Sequence, residues 1–280
     1  MKKRLVAAIL TALVACLAFA LCACTEPYNP DASKKEPAVD ASALKAEGVL
    51  HVGVNAQSYP LAGQANGRMS GLEVDVASAI AQELGLEVEF VDIEDNGVKA
   101  LEGDEVDMVM GIEAKDAKGK CWTSEGYAPS AISLFSTDEK AGVPEKGDGA
   151  KVSAATSSLS AWLITRQLGE DALQAEDDVK LVFQKLVDGE VQYAATDAVV
   201  GKYVLNKEGF DAHLVGVMQV PDQYCIGIAE GNDVLQEAVA SAMAKVEGNG
   251  NGLMNIILTK WLGGPLDLSD VPQTAGAKTA

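Results

Sequence analysis

Leu50-His51-Val52-Gly53-Val54, the run from Glu73 to Leu84, and Leu86-Glu87-Val88-Glu89-Phe90 form the stretch that decides the fold. In the first piece Leu50, Val52 and Val54 alternate with His51 and Gly53, the period-two pattern of a half-buried strand. Asn66-Gly67 then marks a turn, since this dipeptide tolerates positive backbone angles. From Glu73 the spacing changes: Val76, Ile80 and Leu84 recur every four residues with Ala77 and Ala81 beside them. That is a helix with one apolar face, and Gly85 stands ready to end it. Period two returns at Leu86, Val88 and Phe90. Val98 to Leu101 reads as a short helical turn and Val106 to Met110 as a third strand. Strands alternating with helices predict a parallel sheet covered on both faces.

Toward the C-terminus the same grammar restarts as a second, smaller α/β lobe. A strand from Lys151 to Ala155 runs into Ser157-Ser158, good N-cap chemistry for a helix carrying Leu159, Trp162 and Leu163. Lys180 to Phe183 and Val191 to Thr196 read as further strands, and Asp197 opens a helix to Leu205. Ser136 to Gly149, rich in Gly, Lys and acids, reads as an exposed connection. Tyr224 to Ala229 is another strand. Asn232 caps a helix whose Leu235, Val239, Ala242, Met243 and Val246 form one stripe, and Leu253 to Leu262 is a last amphipathic helix. Beyond Gly264 the period is lost and the chain is expected to fray.

Toward the N-terminus, Lys2, Lys3 and Arg4 precede an uncharged apolar run from Leu5 to Leu21 that closes on Leu21-Cys22-Ala23-Cys24. A basic start, an apolar core and a small residue before the cut mark an export signal. Leu at minus three, Ala at minus one and Cys at plus one resemble the lipobox of bacterial lipoproteins, which implies that Cys24 carries the lipid. An uncleaved membrane anchor is the competing reading, because the run approaches a bilayer span. Either way the remainder lies outside the cytoplasm. Thr25 to Ala41 has Pro27, Pro30 and Pro37, lysines and acids with no apolar period, so it reads as an extended tether.

Losing Lys2, Lys3 and Arg4 with the leader takes the formal charge from -19 to -22. Such a body repels nucleic acid and anionic headgroups, which excludes both as partners. The remaining chain, 48% hydrophobic over the whole sequence, has ample material for one large domain or two small ones. No later segment is apolar for long enough to span a bilayer. Only Cys121 and Cys225 remain in the mature body, and two cysteines without a dense framework read as buried thiols sooner than as a bridge.

Leu44-Lys45-Ala46-Glu47-Gly48-Val49-Leu50-His51-Val52-Gly53-Val54, Tyr59-Pro60, Asn66-Gly67 and Gly71-Leu72-Glu73-Val74-Asp75-Val76-Ala77 resemble the opening of family 3 solute-binding proteins of bacterial ABC importers. The likeness continues through Ala79-Ile80, Leu84-Gly85 and Gly103-Asp104-Glu105-Val106-Asp107. It resumes at Leu186-Val187-Asp188-Gly189-Glu190-Val191 and closes at Lys260-Trp261-Leu262-Gly263-Gly264. The resemblance implies an α/β, two-lobed periplasmic-binding-protein-like fold (type II), each lobe a mixed, mainly parallel sheet flanked by helices, joined by two crossover strands. The expected division is a leader at 1–23, a tether at 24–41, lobe 1 at 42–135 and 222–266, lobe 2 at 136–221 and a disordered tail at 267–280. It further implies a monomer that closes on a small solute in the interlobe cleft and hands it to a membrane permease, with no cofactor and no catalysis.

The same resemblance places candidate ligand residues. Tyr59 matches an aromatic that stacks on the ligand; it also reads as a surface turn residue beside Pro60. Asp197 matches a carboxylate that receives an ammonium group through a charge-assisted bond, and it also reads as the cap of its own helix. Ser157 and Ser158 align with a turn whose N–H groups and hydroxyl meet a ligand carboxylate at a helix N-terminus, or they are only a cap. The departure lies from Gly111 to Tyr127, where the family shows Thr-Pro-Glu-Arg and then an Asp-Phe-Ser-x-Pro-Tyr segment. Here stand Gly111-Ile112-Glu113-Ala114-Lys115-Asp116-Ala117-Lys118 and Cys121-Trp122-Thr123-Ser124-Glu125-Gly126-Tyr127. The carboxylate-clamping arginine is missing, Ala117 falls nearest its place, and Glu113 lies near the position of a small hydroxyl residue. Lys115 or Lys118 can supply a charge but not the planar fork. If Glu113 and Asp197 share the cleft with Tyr59 and Trp122, the site suits a cation lacking a carboxylate. If Lys115 turns inward onto Glu113, an amino acid or small peptide-like acid still fits. If Glu113 is simply solvated, the ligand is an ordinary polar metabolite.

Other function classes find less support. His51 sits on an alternating strand and His213 near a strand edge, so nucleophile–His constellations and a His/Cys metal site are not expected. Gly248 to Gly252 lies between two helices, which is the wrong context for a phosphate loop. A dehydratase or wall-cleaving enzyme on this fold, and a sensor or scaffold lipoprotein, stay as alternatives.

Overall fold

The computed structural model describes residues 35–94, 97–248 and 252–279. Cys24, the leader, most of the tether and residues 249–251 of the glycine-rich loop lie outside the described residues.

Val49–Val54 (β1) leads through a small hairpin, Gly63–Ala65 (β2) and Arg68–Ser70 (β3), into the helix Leu72–Leu84 (α1) and then Glu87–Asp92 (β4). The hairpin turns at Asn66 and Gly67, with φ of 53° and 72°, the paired left-handed geometry that Asn-Gly favours. Gly85 ends α1 in the left-handed conformation, its N–H meeting the Ala81 and Gln82 carbonyls. Gly97–Glu102 (α2), Met108–Glu113 (β5), the short helix Ala114–Ala117 (α3), Trp122–Thr123 (β6) and Ala128–Ser130 (β7) follow.

The chain then enters a second sheet with Ile132–Ser136 (β8), Val152–Ala155 (β9), Leu159–Gln167 (α4), Leu173–Glu176 (β10), Val179–Val187 (α5), Tyr193–Asp197 (β11), Ala198–Glu208 (α6) and His213–Val217 (β12). Asp222–Ile228 (β13) returns to the first sheet, followed by Asp233–Glu247 (α7) and Leu253–Leu262 (α8).

The first sheet runs β4-β1-β5-β13-β6, with β7 also paired to β13; the second runs β10-β9-β11-β8-β12. Both are mixed. β1, β4 and β5 are parallel while β13 is antiparallel to β5, and β9, β10 and β11 are parallel while β8 and β12 are antiparallel. β5 feeds two cores: Met108 and Met110 join Leu50, Val76, Ile80 and the buried stripe of α7 and α8, whereas Val109 and, past the irregular pairing with β13, Ile112 join Ile93, Leu101 and Ala117. In the second lobe Val152 and Ile164 pack on one face, and Phe135 meets Phe183 on the other with centroids 5.1 Å apart. Each sheet is thus covered by helices on both faces, as burial of a parallel sheet requires.

Four expectations change. Lys180 to Phe183 is not a strand but part of α5, because Asp178 caps it and Val182, Phe183 and Leu186 share one buried helical face. The crossing into the second sheet falls at Ala131 rather than near residue 136, since β8 already pairs with β11. The folded body begins inside the expected tether: Ala38 N–H donates to Leu84 O at 2.8 Å and Val39 is buried in the first core. Nor does the chain beyond Gly264 fray. Val217 N–H donates to Pro272 O, Thr274 N–H donates back to Val217 O, and Leu268 and Ala277 are buried. The tail therefore returns to the edge of β12, a third passage between lobes that has no side-chain period to announce it.

Candidate functional site

The C-terminal ends of β1, β4 and β5 open onto a cavity of about 500 Å³, lined by Asn55, Ile93, Glu94, Gly111, Glu113 and Tyr224 among others. In open α/β sheets this end of the strands is where ligands sit.

Gly111, near the end of β5, has φ of +73°, and a Cβ there would lie 2.6 Å from Glu73 Oε1. The glycine lets the cavity wall close directly over the first turn of α1. Its N–H donates to the Tyr127 hydroxyl, which donates to Glu73 Oε1, both at 2.7 Å. Burial pushes the Glu73 carboxyl up to about 7, with the Tyr127 hydrogen bond pulling the other way. Burial and the Glu73 charge push the Tyr127 hydroxyl well up.

Two carboxylates, one from each lobe, meet beside the cavity: Glu113 lines it, and Asp197 is joined to it through the cavity-lining Tyr224. Asp197 caps α6, accepting from Val199 N–H at 2.9 Å and Val200 N–H at 3.2 Å, while the Tyr224 hydroxyl donates to its Oδ2 at 3.2 Å. Burial pushes it up to about 6; the three donors lower it, and the Glu113 charge adds to the rise. Glu113, at the end of β5, accepts from Ser130 Oγ and pairs with Lys115 Nζ at 2.5 Å. Tyr224 also meets Ser130, which links the acids through residues of the two crossover strands. Burial, then Asp197, raises the Tyr224 hydroxyl. Lys115 N–H donates to Asp222 Oδ2 at 3.1 Å. Burial pulls the Lys115 ammonium down, but Glu113, Asp222 and Asp116 outweigh it and raise its pKa.

The structure thus brings Glu113 together with Lys115 and Asp197, and places Gly111 in the same cavity wall as Glu113. Ser158 serves as the α4 cap: its Oγ accepts from Ala161 N–H and donates to Ala155 O at 2.6 Å. Ser157 is exposed with φ of +57°, turning the chain into that helix. Tyr59 is neither wholly a cleft ring nor an isolated surface one. Its hydroxyl accepts from Tyr203 of α6 at 3.0 Å, and its ring meets Tyr203 and Trp261 edge-on at 5.3 and 5.9 Å. Trp122 is absent from the cavity lining; on the edge strand β6 it packs against the first core. Ala117, nearest the expected arginine, is buried with Val109 and Ile112, and Lys118 is exposed. Cys121 and Cys225 are unpaired buried thiols, and burial pushes Cys225 up to about 11.

Sequence reasoning missed Glu73, Tyr127, Ser130 and Tyr224 as site residues. Glu73 carried a signal, an acid in helical phase with the apolar Ala77 and Ile80. Among the described residues no His/Cys/Asp/Glu group is arranged to hold a metal, and no helix is long and apolar enough to cross a membrane. His51 hydrogen-bonds Asp107, whose two oxygens also accept the His51 and Lys45 N–H groups, a role in tying strand starts together.

Known proteins share this fold. The L-cystine-binding protein TcyJ of Escherichia coli K12 is 24% identical over 228 residues, covering 79% of this chain and 85% of that protein. The substrate-binding protein of a polar amino acid ABC uptake transporter from Streptococcus thermophilus superposes with a TM-score of 0.68 at 17% identity, over 78% of this chain and 88% of that one. An ancestral cationic amino acid solute-binding protein superposes with a TM-score of 0.64 at 24% identity, over 77% and 96%. A second structure of that ancestral protein is described as a precursor of cyclohexadienyl dehydratase. These likenesses establish the two-lobed fold, and residues 50–264 match the profile of one family from the first strand to the last helix. The chain belongs to the bacterial extracellular solute-binding proteins, family 3.

Proposed function

We propose that this chain is the extracytoplasmic substrate-binding lipoprotein of an ABC importer. It captures a small polar solute of amino-acid or amine type between its lobes and delivers it to the permease without chemical change. The observation that carries the reading is Asp197: a carboxylate joined to the cavity-lining Tyr224, pushed up to about 6 by burial and by Glu113, whose partners are hydroxyl and amide donors rather than a cation. Such a group gains most from an ammonium that arrives with the solute. TcyJ and the Streptococcus protein, named for cystine and polar amino acids, are consistent with a solute of this size and polarity. The Leu21-Cys22-Ala23-Cys24 sequence supports a lipid anchor at Cys24, and the acidic body supports the exclusion of nucleic acid.

Isothermal titration with L-arginine, L-glutamine and putrescine tests the reading. Asp197→Asn keeps a capping oxygen, so the protein folds while affinity for an amine-bearing probe falls on the order of 30-fold or more. A cation binds the ionised carboxylate, so wild-type affinity rises with pH through about 6. Unchanged affinity in the variant, or none of the probes binding, ends the reading.

A further inference from the structure

We propose that Lys115 is an internal competitor for the cationic end of the solute, and that its ion pair with Glu113 sets how well the protein holds positively charged ligands relative to neutral ones. This rests on the cleft being a solute site.

Glu113 lines the cavity, and each of its oxygens is engaged, Oε1 by the Ser130 hydroxyl and Oε2 by Lys115 Nζ at 2.5 Å. A second cation at Oε2 would sit against the first. Like charges in such close contact repel at a protein-surface dielectric, so the two exclude each other. Lys115 is the partner able to leave: its side chain is 54% exposed against 21% for Glu113. Its backbone is held by the bond to Asp222, so the four-carbon stem can swing out while the main chain stays in place. Outside the pair it still faces Asp116 and Asp222, which favour its charged form.

The polar groups here run Asp197, Tyr224, Ser130, Glu113, Lys115, from one lobe through both crossover strands to the other. Among the described residues no cation pairs with Asp197, so a solute ammonium there meets no competitor. A second cationic group reaching Glu113 does. Lys115 therefore penalises dications and spares neutral solutes that need only Asp197.

The test titrates L-arginine, putrescine and L-glutamine into wild type, Lys115→Met and, as a charge-keeping control, Lys115→Arg. Lys115→Met is expected to bind L-arginine and putrescine about two- to fivefold more tightly, the scale of one partly exposed ion pair, with L-glutamine unchanged and Lys115→Arg matching wild type. Weaker binding of L-arginine and L-glutamine with putrescine unaffected would make Lys115 a receptor for the ligand carboxylate and overturn the inference. So would wild-type binding with no gain in Lys115→Met. Absence of binding by every probe in both proteins removes the solute-site reading and this inference together.

Discussion

Glu73 and Asp197 are the same chemistry in two different places. Each stands at the start of a helix beside a β-strand end, and in each burial is the leading cause of a raised pKa. Asp197 is drawn back to about 6 by two helix N–H groups and the Tyr224 hydroxyl, whereas Glu73 has the Tyr127 hydroxyl and reaches about 7. The larger difference is access. Glu73 is sealed behind Gly111, and Asp197 is half-buried opposite Glu113. Gly111 forms a wall over Glu73, whereas Asp197 hydrogen-bonds the cavity-lining Tyr224.

Breaking that wall has the largest expected effect. Gly111→Ala combines a left-handed φ of +73° with a Cβ 2.6 Å from Glu73 Oε1. Strain and the displaced carboxyl together cost about 3 kcal/mol or more. Urea unfolding at pH 7 should show a lower midpoint with the slope retained. A variant as stable as wild type would mean that the backbone of β5 does not press on Glu73.

Sharpening the contrast needs the sealed acid made neutral. The folded protein holds the Glu73 proton more tightly than the unfolded chain, about 7 against an ordinary 4.5. Its stabilising contribution is therefore complete below pH 4.5 and lost as pH rises through 7, a span worth about 3 kcal/mol. Glu73→Gln keeps an acceptor for Tyr127 without the charge. It should be about 2 kcal/mol more stable than wild type at pH 8 and equal to it near pH 4.5 in thermal melts. Asp197 acts with the same sign over a lower window, from its ordinary 3.8 to about 6, so stability of the variant should still decline there and then level off. A curve that keeps falling between pH 6 and 8 would reassign the titration.

How much of this was legible varies with the physics involved. β1, α1 and β4 were plain because their periods, two and near four, each persist long enough to tell one from the other. Lys180-Leu181-Val182-Phe183 is too short for that; the deciding marks were Asp178 before it and Leu186 beyond it. The tail was unreadable because it docks on β12 through backbone hydrogen bonds, which leave no period in the side chains. At the candidate site, the cap at Asp197 was legible because capping is local, while its ligand role came from the family resemblance. Ser130 and Tyr224 could not be found, since they meet Glu113 and Asp197 only where two crossover strands run side by side. Glu73 was readable by phase, as an acid on the buried stripe of α1.

The lobes also touch at a second place, a cluster of rings near solvent, where loss of the hydroxyl alone has the smallest expected effect. Tyr59 follows β1 and Tyr203 lies on α6, so the bond between their hydroxyls joins segments that follow strands of different sheets. Trp261 completes the group, and its indole N–H donates to Asp75 Oδ2 at 2.7 Å. Burial, then Tyr203, pushes the Tyr59 hydroxyl up to about 12, so it stays protonated through the working range. Tyr203→Phe removes one hydrogen bond near solvent and keeps the rings, for a loss of about 0.5–1 kcal/mol. Tyr203→Ala also removes the ring contacts with Tyr59 and Trp261 and the Lys207 ammonium over its face, for a loss of about 2–3 kcal/mol. Equal losses in the two variants would place the contact in the hydroxyl pair. No loss in either would mean that this second bridge between lobes is open in solution and that the crossover strands and the tail hold the lobes together.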